Sequence, residues 1–268
     1  MRGFNPQWLA ALRAGSKLAP LRPRLPLLVG QVVIGSVEPD FLRQIELPTL
    51  PDGRKQLSKE ERSEGPVWHL RGEPTAGLQA LAFALREAGM AHAWRDEQLA
   101  VADPQGLRIA TVERAVVRVL GIPTHAVHLV GQTEGGRFWV QQRAFDKAND
   151  PGLWDTLMGG MISATDTLAG ALERETWEEA GLRLGDLKNM SHGGHLDIRR
   201  PCEDGSGAGY VIEHIDWYRC SVPDGQKPLN QDGEVASFAL MDRREMLQKM
   251  QQNEFTLEAA LIQAALLA

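Results

Sequence analysis

Apolar and polar residues change period several times along the chain, and the changes predict its elements. Near the start, Trp8, Leu9 and Leu12 recur on one side of a short helix. Asn5 and Pro6 suit its cap and first turn, and the helix is expected to pack on its own domain. The apolar run Leu25 to Ile34 is broken by Pro26, Gly30 and Gln31. It is too short to cross a bilayer, lacks a signal-cleavage pattern and reads as interior. Val32 to Val37 predicts a strand, and Glu38-Pro39-Asp40 opens a short helix through Ile45. Leu50 to Gly65, rich in charge and turn residues, predicts an exposed loop, and Val67 to Leu70 a strand. Thr75 caps a helix with Leu78, Leu81, Ala82 and Leu85 at helical spacing, ended by Gly89. A hairpin is expected around Asp103 to Gly106, and Thr111 opens an amphipathic helix with Val112, Ala115, Val116 and Val119 inward. A domain boundary is placed near Arg118, giving domains 1–118 and 119–268. His69 and His92 read as structural histidines, and the first domain shows no recognisable chemistry.

The second part opens on the alternating strand Thr124 to Glu134, turned by Gly135-Gly136 into Arg137 to Arg143. After an Asn-Asp-Pro-Gly loop, Thr156 to Met161 predicts a third strand. Beyond a helical stretch come strands over His192 to Arg199, Gly209 to Val222 and Val235 to Leu240. Two helices close the chain, Asp242 to Gln252 and one capped by Thr256. Strands interleaved with helices in this order predict an α/β fold, a mixed sheet between helices preceded by a smaller α+β domain.

Composition narrows the function classes. The chain has 268 residues, 43% hydrophobic and 24% charged, with a net charge of −6. That charge gives no electrostatic reason for binding nucleic acid or an anionic membrane. Cys202 and Cys220 make neither a disulfide framework nor a zinc knuckle, so a reducing cytoplasm is the plain reading.

The chemistry concentrates between Gly160 and Leu182, GMISATDTLAGALERETWEEAGL. Residues three and four apart share a helical face, so Glu175 lies under both Glu178 and Glu179. Asp166 precedes them, and Glu173 is a less regular extra. Like charges so placed repel, and three oxygen donors on one rigid face suit Mg²⁺ or Mn²⁺.

A glycine, five residues, an acid, seven residues and then Arg174-Glu175-Thr176-Trp177-Glu178-Glu179-Ala180-Gly181-Leu182 resembles the signature of the Nudix hydrolases. The departure is Asp166, where that family usually has Glu; Asp166 supports the metal face or caps the helix. The resemblance implies an α/β/α sandwich over roughly Pro123 to Met241 and a metal-dependent diphosphate hydrolase. Within it, PTHAVHLVG, WVQQR, Lys147, PGLWDTLMGG and DGEVASFALM look like a subgroup related by name to thiamine pyrophosphokinase, with an extra N-terminal domain. Members of that subgroup act on thiamine diphosphate and its oxidised or antimetabolite forms.

By this resemblance Glu175, Glu178 and Glu179 hold the metal with the Gly160 carbonyl, and Arg174 orients the carboxylates. Glu234, before a late strand, approaches as a ligand or general base. Arg143 and Lys147 would clamp phosphate oxygens, and Trp154 and Phe145 would stack on a heteroaromatic ring. The expected partner is a small-molecule diphosphate, with homodimerisation a family-based expectation. Alternatives are an ADP-ribose-type pyrophosphatase, an isopentenyl diphosphate isomerase, which needs a catalytic cysteine near the motif where neither Cys202 nor Cys220 sits in a matching context, and a non-catalytic ligand sensor, although sensors usually lose motif acids that are intact here.

Overall fold

In the computed structural model, which describes residues 4–91 and 93–267, two sheets and a hairpin share the chain. Helix α1 (Pro6–Gly15) leads into β1 (Leu25–Val29) and β2 (Val32–Val37), followed by a 3₁₀ turn at Phe41–Gln44. Strands β3 (Leu57–Arg62) and β4 (Gly65–Leu70) complete a sheet of order β2-β1-β4-β3. Helix α2 (Pro74–Glu87) and the hairpin β5 (Gln98–Ala102), β6 (Arg108–Glu113) close this first part. Leu78, Leu81, Ala82 and Leu85 of α2 enter its core as their spacing predicts.

Three local expectations are corrected. Residues 57–62 form an edge strand inside the expected loop, because each charge on its inward side is paired. Glu60 there binds Arg62, Arg71 and His69. Glu73, rather than Thr75, caps α2, accepting from the backbone N–H groups of Thr75 and Ala76. The stretch after Thr111 is strand as far as Glu113 and then a 3₁₀ turn, Arg114–Val116. Thr111 and Val112 are β-branched and favour the strand, paired with Ala100 and Leu99. His92 lies outside the described residues.

The second sheet has the order β11-β12-β7-β8-β13, with β10 paired to β7 and β9 to β8. Its strands are β7 (Thr124–Gln132), β8 (Phe138–Arg143), β9 (Trp154–Asp155), β10 (Met158–Met161), β11 (Lys188–Cys202), β12 (Gly209–Ser221) and β13 (Val235–Met241). Helix α3 (Leu168–Ala180) covers one face through a core of Val127, Leu129, Leu157 and Leu172. Helices α5 (Arg243–Gln251) and α6 (Leu257–Leu267) cover the other, while a single irregular turn, α4 (Asp204–Gly207), joins β11 to β12. The result is a sheet sandwiched between helices.

Helix α1 departs from its expected packing. Trp8, Leu9 and Leu12 join the core under α6, and the chain after α1 bonds to edge strand β11, with Leu18 N–H donating to Arg199 O at 2.8 Å. Its apolar stripe is satisfied there because α6, nearly apolar all round, needs a second covering layer. The two parts also meet elsewhere. Met161 and Ala208 enter the first core, and Ala164 N–H donates to Gln98 O at 2.7 Å.

Candidate active site

Helix α3 begins with Thr167, whose Oγ1 accepts from the Gly170 N–H at 3.0 Å, so Asp166 does not cap it. Its inward stripe runs through Ala171, Leu172, Thr176 and Ala180 and includes Glu175 and Glu179, only 8% and 3% exposed. Putting two carboxylates in an apolar stripe costs several kcal/mol unless they find partners or lose their charge.

Both happen in part. Glu179 Oε2 accepts from the Gly159 N–H at 2.9 Å and from Gln141 Nε2 at 2.8 Å. Burial, then the neighbouring Glu175, still pushes its carboxyl up to about 8. Burial pushes Glu175 up to about 7 against the opposing pull of Arg174. Gly160 faces Glu175 so closely that a Cβ there would collide with the carboxylate, which gives the glycine a steric reason. Glu178 sits on the flank of the helix and stays partly in water.

Arg174 ties the cluster together. Its Nη1 donates to Glu175 at 2.9 Å and Glu178 at 2.8 Å, and its Nε and Nη2 fork onto one oxygen of Asp166 at 3.0 and 2.7 Å. Burial lowers the affinity of this guanidinium for its proton, but the three carboxylates outweigh that and raise it. Asp166 therefore anchors the arginine that aims the glutamates. One guanidinium against four carboxylates leaves negative charge uncompensated. A hard dication bound by Glu175, Glu178, Glu179 and the Gly160 carbonyl suits that all-oxygen set.

The cluster opens onto a cleft of about 390 Å³. Arg143, Lys147 and Glu234 line it alongside Glu175 and Glu179. Lys147 pairs with Glu234, as does Arg95 at 3.4 Å. Burial works to raise the Glu234 carboxyl, but Lys147 and Arg95 hold it below the usual range. Arg143 donates to Asn149 O at 3.1 Å and lies 3.5 Å from Asp155.

Phe145 and Trp154 do not line the cleft. Phe145 is 72% exposed. Trp154 packs against the α6 core with the Lys249 ammonium over its ring, because β9 directs it toward that layer.

Several cleft residues escaped the sequence reading. Arg95, Arg114 and Arg118 come from the first part of the chain, which had shown no chemistry. Only three-dimensional proximity identifies them, since no motif surrounds them. Glu213, Glu258 and Arg200 also line the cleft, and Arg200 Nη2 lies 3.9 Å from Glu258. Burial, then Glu213, pushes the Glu258 carboxyl up to about 7. Cys202 also lines the cleft, its thiol pushed up to about 11 by burial and Asp204. Cys220 is buried elsewhere.

A model of the NUDIX domain matches residues 123–261, just over half the chain. The chain belongs to the Nudix family. Among proteins similar to this Nudix chain, Nudix hydrolase 20, chloroplastic, of Arabidopsis thaliana is 31% identical over 137 residues, covering 49% of the chain and 35% of that protein. An isopentenyl-diphosphate Delta-isomerase of Saccharopolyspora erythraea is 29% identical over 92 residues, 34% of the chain and 47% of that protein. The crystal structure of DR0079 from Deinococcus radiodurans covers 63% of the chain and 99% of its own, with 15% identity and a TM-score of 0.49. The Nudix chain spans about a third to a half of the length of the first curated relatives it matches. No helix among the described residues is long and apolar enough to cross a membrane.

Proposed function

We propose that the protein is a Mg²⁺- or Mn²⁺-dependent hydrolase that splits the diphosphate of a small organic molecule and releases a monophosphate. The observation that carries this is the carboxylate face of Glu175, Glu178 and Glu179, aimed by Arg174 and opening onto a cleft lined by Arg143, Lys147, Arg95 and Arg114. A bound dication would neutralise phosphate oxygens and make water a better nucleophile at neutral pH. The chain's own groups do the rest. Arg143 and Lys147 hold phosphate oxygens, which keeps the reacting phosphorus at the carboxylate face. Glu234, kept ionised by Lys147 and Arg95, takes a proton from the attacking water.

For the organic group we favour thiamine diphosphate and its oxidised analogues, as the subgroup resemblance implies. The cleft supports that choice through Glu213 and Glu258, which line it beside Arg200. These carboxyl groups suit a cationic, hydrogen-bonding ring, and Arg143 and Lys147 in the same cleft suit a diphosphate. Residues 1–118 act as a domain that narrows access, because Arg95 and Arg114 reach the cleft from it. The ring is recognised by polar groups and not by the aromatic stacking expected of Phe145 and Trp154.

The test is a screen of thiamine diphosphate, its oxidised forms, ADP-ribose and isopentenyl diphosphate with Mg²⁺. Preferred hydrolysis of a thiamine diphosphate analogue supports the full reading. Preference for ADP-ribose by about tenfold or more removes the thiamine assignment and keeps the hydrolase. The isomerase relative and Cys202 in the cleft define a second reading. Isomerisation of isopentenyl diphosphate that Cys202→Ala abolishes would establish it in place of the first.

A further inference from the structure

A second cluster of ligating side chains lies on the sheet away from the cleft. His192 and His195 stand three residues apart, a spacing that sends side chains to opposite faces of a regular strand. In β11 they share a face because the register against β12 shifts between His192 and Gly194. The extra residue of that bulge restores the phase, so His192 lies opposite Tyr218 and His195 opposite Asp216, two positions apart on β12. The bulge depends on Gly193, where any Cβ would run into the Trp217 indole.

The consequence is convergence on one oxygen. His192 Nε2 lies 2.9 Å and His195 Nδ1 2.8 Å from the same Asp216 Oδ1. One ligand atom from each of the three residues falls within 4.8 Å of the others. A tetrahedral ion with bonds of about 2.0–2.2 Å sets its donors roughly 3.3–3.5 Å apart, so each histidine nitrogen needs to move only about half an ångström from Asp216 Oδ1. The two imidazoles are well exposed and Asp216 is partly so, which leaves room for water to complete the shell.

We propose that His192, His195 and Asp216 form a binding site for a transition-metal dication, Zn²⁺ foremost, separate from the carboxylate face of α3. Two imidazoles and one carboxylate are a borderline donor set that suits Zn²⁺, Co²⁺ or Ni²⁺, whereas Mg²⁺ takes oxygen ligands. Separation rests on the lining of the cleft, which includes Glu175 and Glu179 but none of His192, His195 and Asp216. Ile215 and Trp217 of β12 enter the α6 core, so Asp216 projects from the face that α3 covers, two strands beyond β10 in the sheet. Such an ion would pin β11, the edge strand of the sheet, to β12 at its bulge.

The experiment is calorimetric titration of the tag-free, full-length protein with Zn²⁺ in excess Mg²⁺, which keeps the α3 carboxylates occupied. One equivalent is expected to bind. His195→Ala and Asp216→Asn should each weaken it by about tenfold or more, the loss expected when a ligand goes, while Glu178→Gln leaves it within about threefold. These side chains lie at the surface, and circular dichroism of the variants checks their folding. Absence of a saturable Zn²⁺ site in the parent overturns the proposal and leaves Asp216 as a hydrogen-bond acceptor for two histidines. A loss smaller than about tenfold in either ligand variant, or a matching loss in Glu178→Gln, also overturns it.

Discussion

Replacing Glu179 by Gln should stabilise the protein when divalent cations are removed, increasingly so as pH rises from about 4.5 to about 8. Burial and Glu175 hold the Glu179 carboxyl near 8 in the folded chain, against an ordinary value of 4.5. Above pH 4.5 the folded state therefore binds more protons here than the unfolded state, and stability falls as pH rises toward 8. Each tenfold change in proton affinity is worth about 1.4 kcal/mol, so the full effect approaches 5 kcal/mol and relaxation of the site leaves on the order of 2–4. An amide escapes that penalty and keeps both local bonds, because Gln Oε1 can accept from the Gly159 N–H and from Gln141.

Thermal unfolding in EDTA would read the difference. At about 2–4 °C per kcal/mol for a chain of this size, the variant should melt roughly 5–15 °C above the parent at pH 8.5, and within a few degrees of it at pH 5. The histidines that burial holds low, His125 and His128, titrate in both proteins and drop out of the comparison. Added Mg²⁺ should raise the melting point of the parent at pH 8.5 and leave the variant nearly unmoved. A gap that is the same at both pH values, or a variant less stable than the parent at pH 8.5, refutes the account of Glu179 as a buried charge awaiting a cation.

Three further outcomes are expected. Glu178→Gln, at a half-exposed position, should lower turnover by about a hundredfold or more while shifting the melting point little; turnover within threefold of the parent removes it from the metal face. Arg95→Ala should raise KM for the preferred diphosphate by roughly tenfold, since it removes a charge-assisted contact contributed by the first part of the chain. An unchanged KM would return Arg95 to a purely structural pairing with Glu234. Trp154→Ala should cost about 2–4 kcal/mol in urea unfolding through the α6 core yet leave KM within about threefold, whereas a large rise in KM without destabilisation would restore it to the substrate site.

Much of the Nudix half is determined by sequence alone, because its signals are local. Helical spacing places Glu175, Glu178 and Glu179 on neighbouring faces of α3, whatever surrounds them, and Arg174 reaches two of them within its own turn. Alternation defines β12, along most of which every second residue is buried, whereas the central β7 is buried on both faces and is legible as a short apolar run between turn signals. Local propensity failed where pairing at a distance decided the outcome. Residues 57–62 carry charges typical of a loop, yet Glu60 among them pairs with Arg71 and hydrogen-bonds His69 of the adjacent strand. Trp8, Leu9 and Leu12 define a helix but not its partner, which is α6, at the other end of the chain.

Tertiary structure alone decided the composition of the cleft. Arg95, Glu213 and Glu258 lie far apart in sequence and meet because the hairpin after α2 packs on β7 while α6 closes the opposite face. Tertiary structure also decided which acids feel their charge. Glu178 and Glu179 are neighbours in sequence, but one faces water and the other is 3% exposed, and desolvation separates their chemistry. The convergence of His192 and His195 has the same origin. A bulge seated on Trp217 reverses the strand parity that their spacing alone would impose.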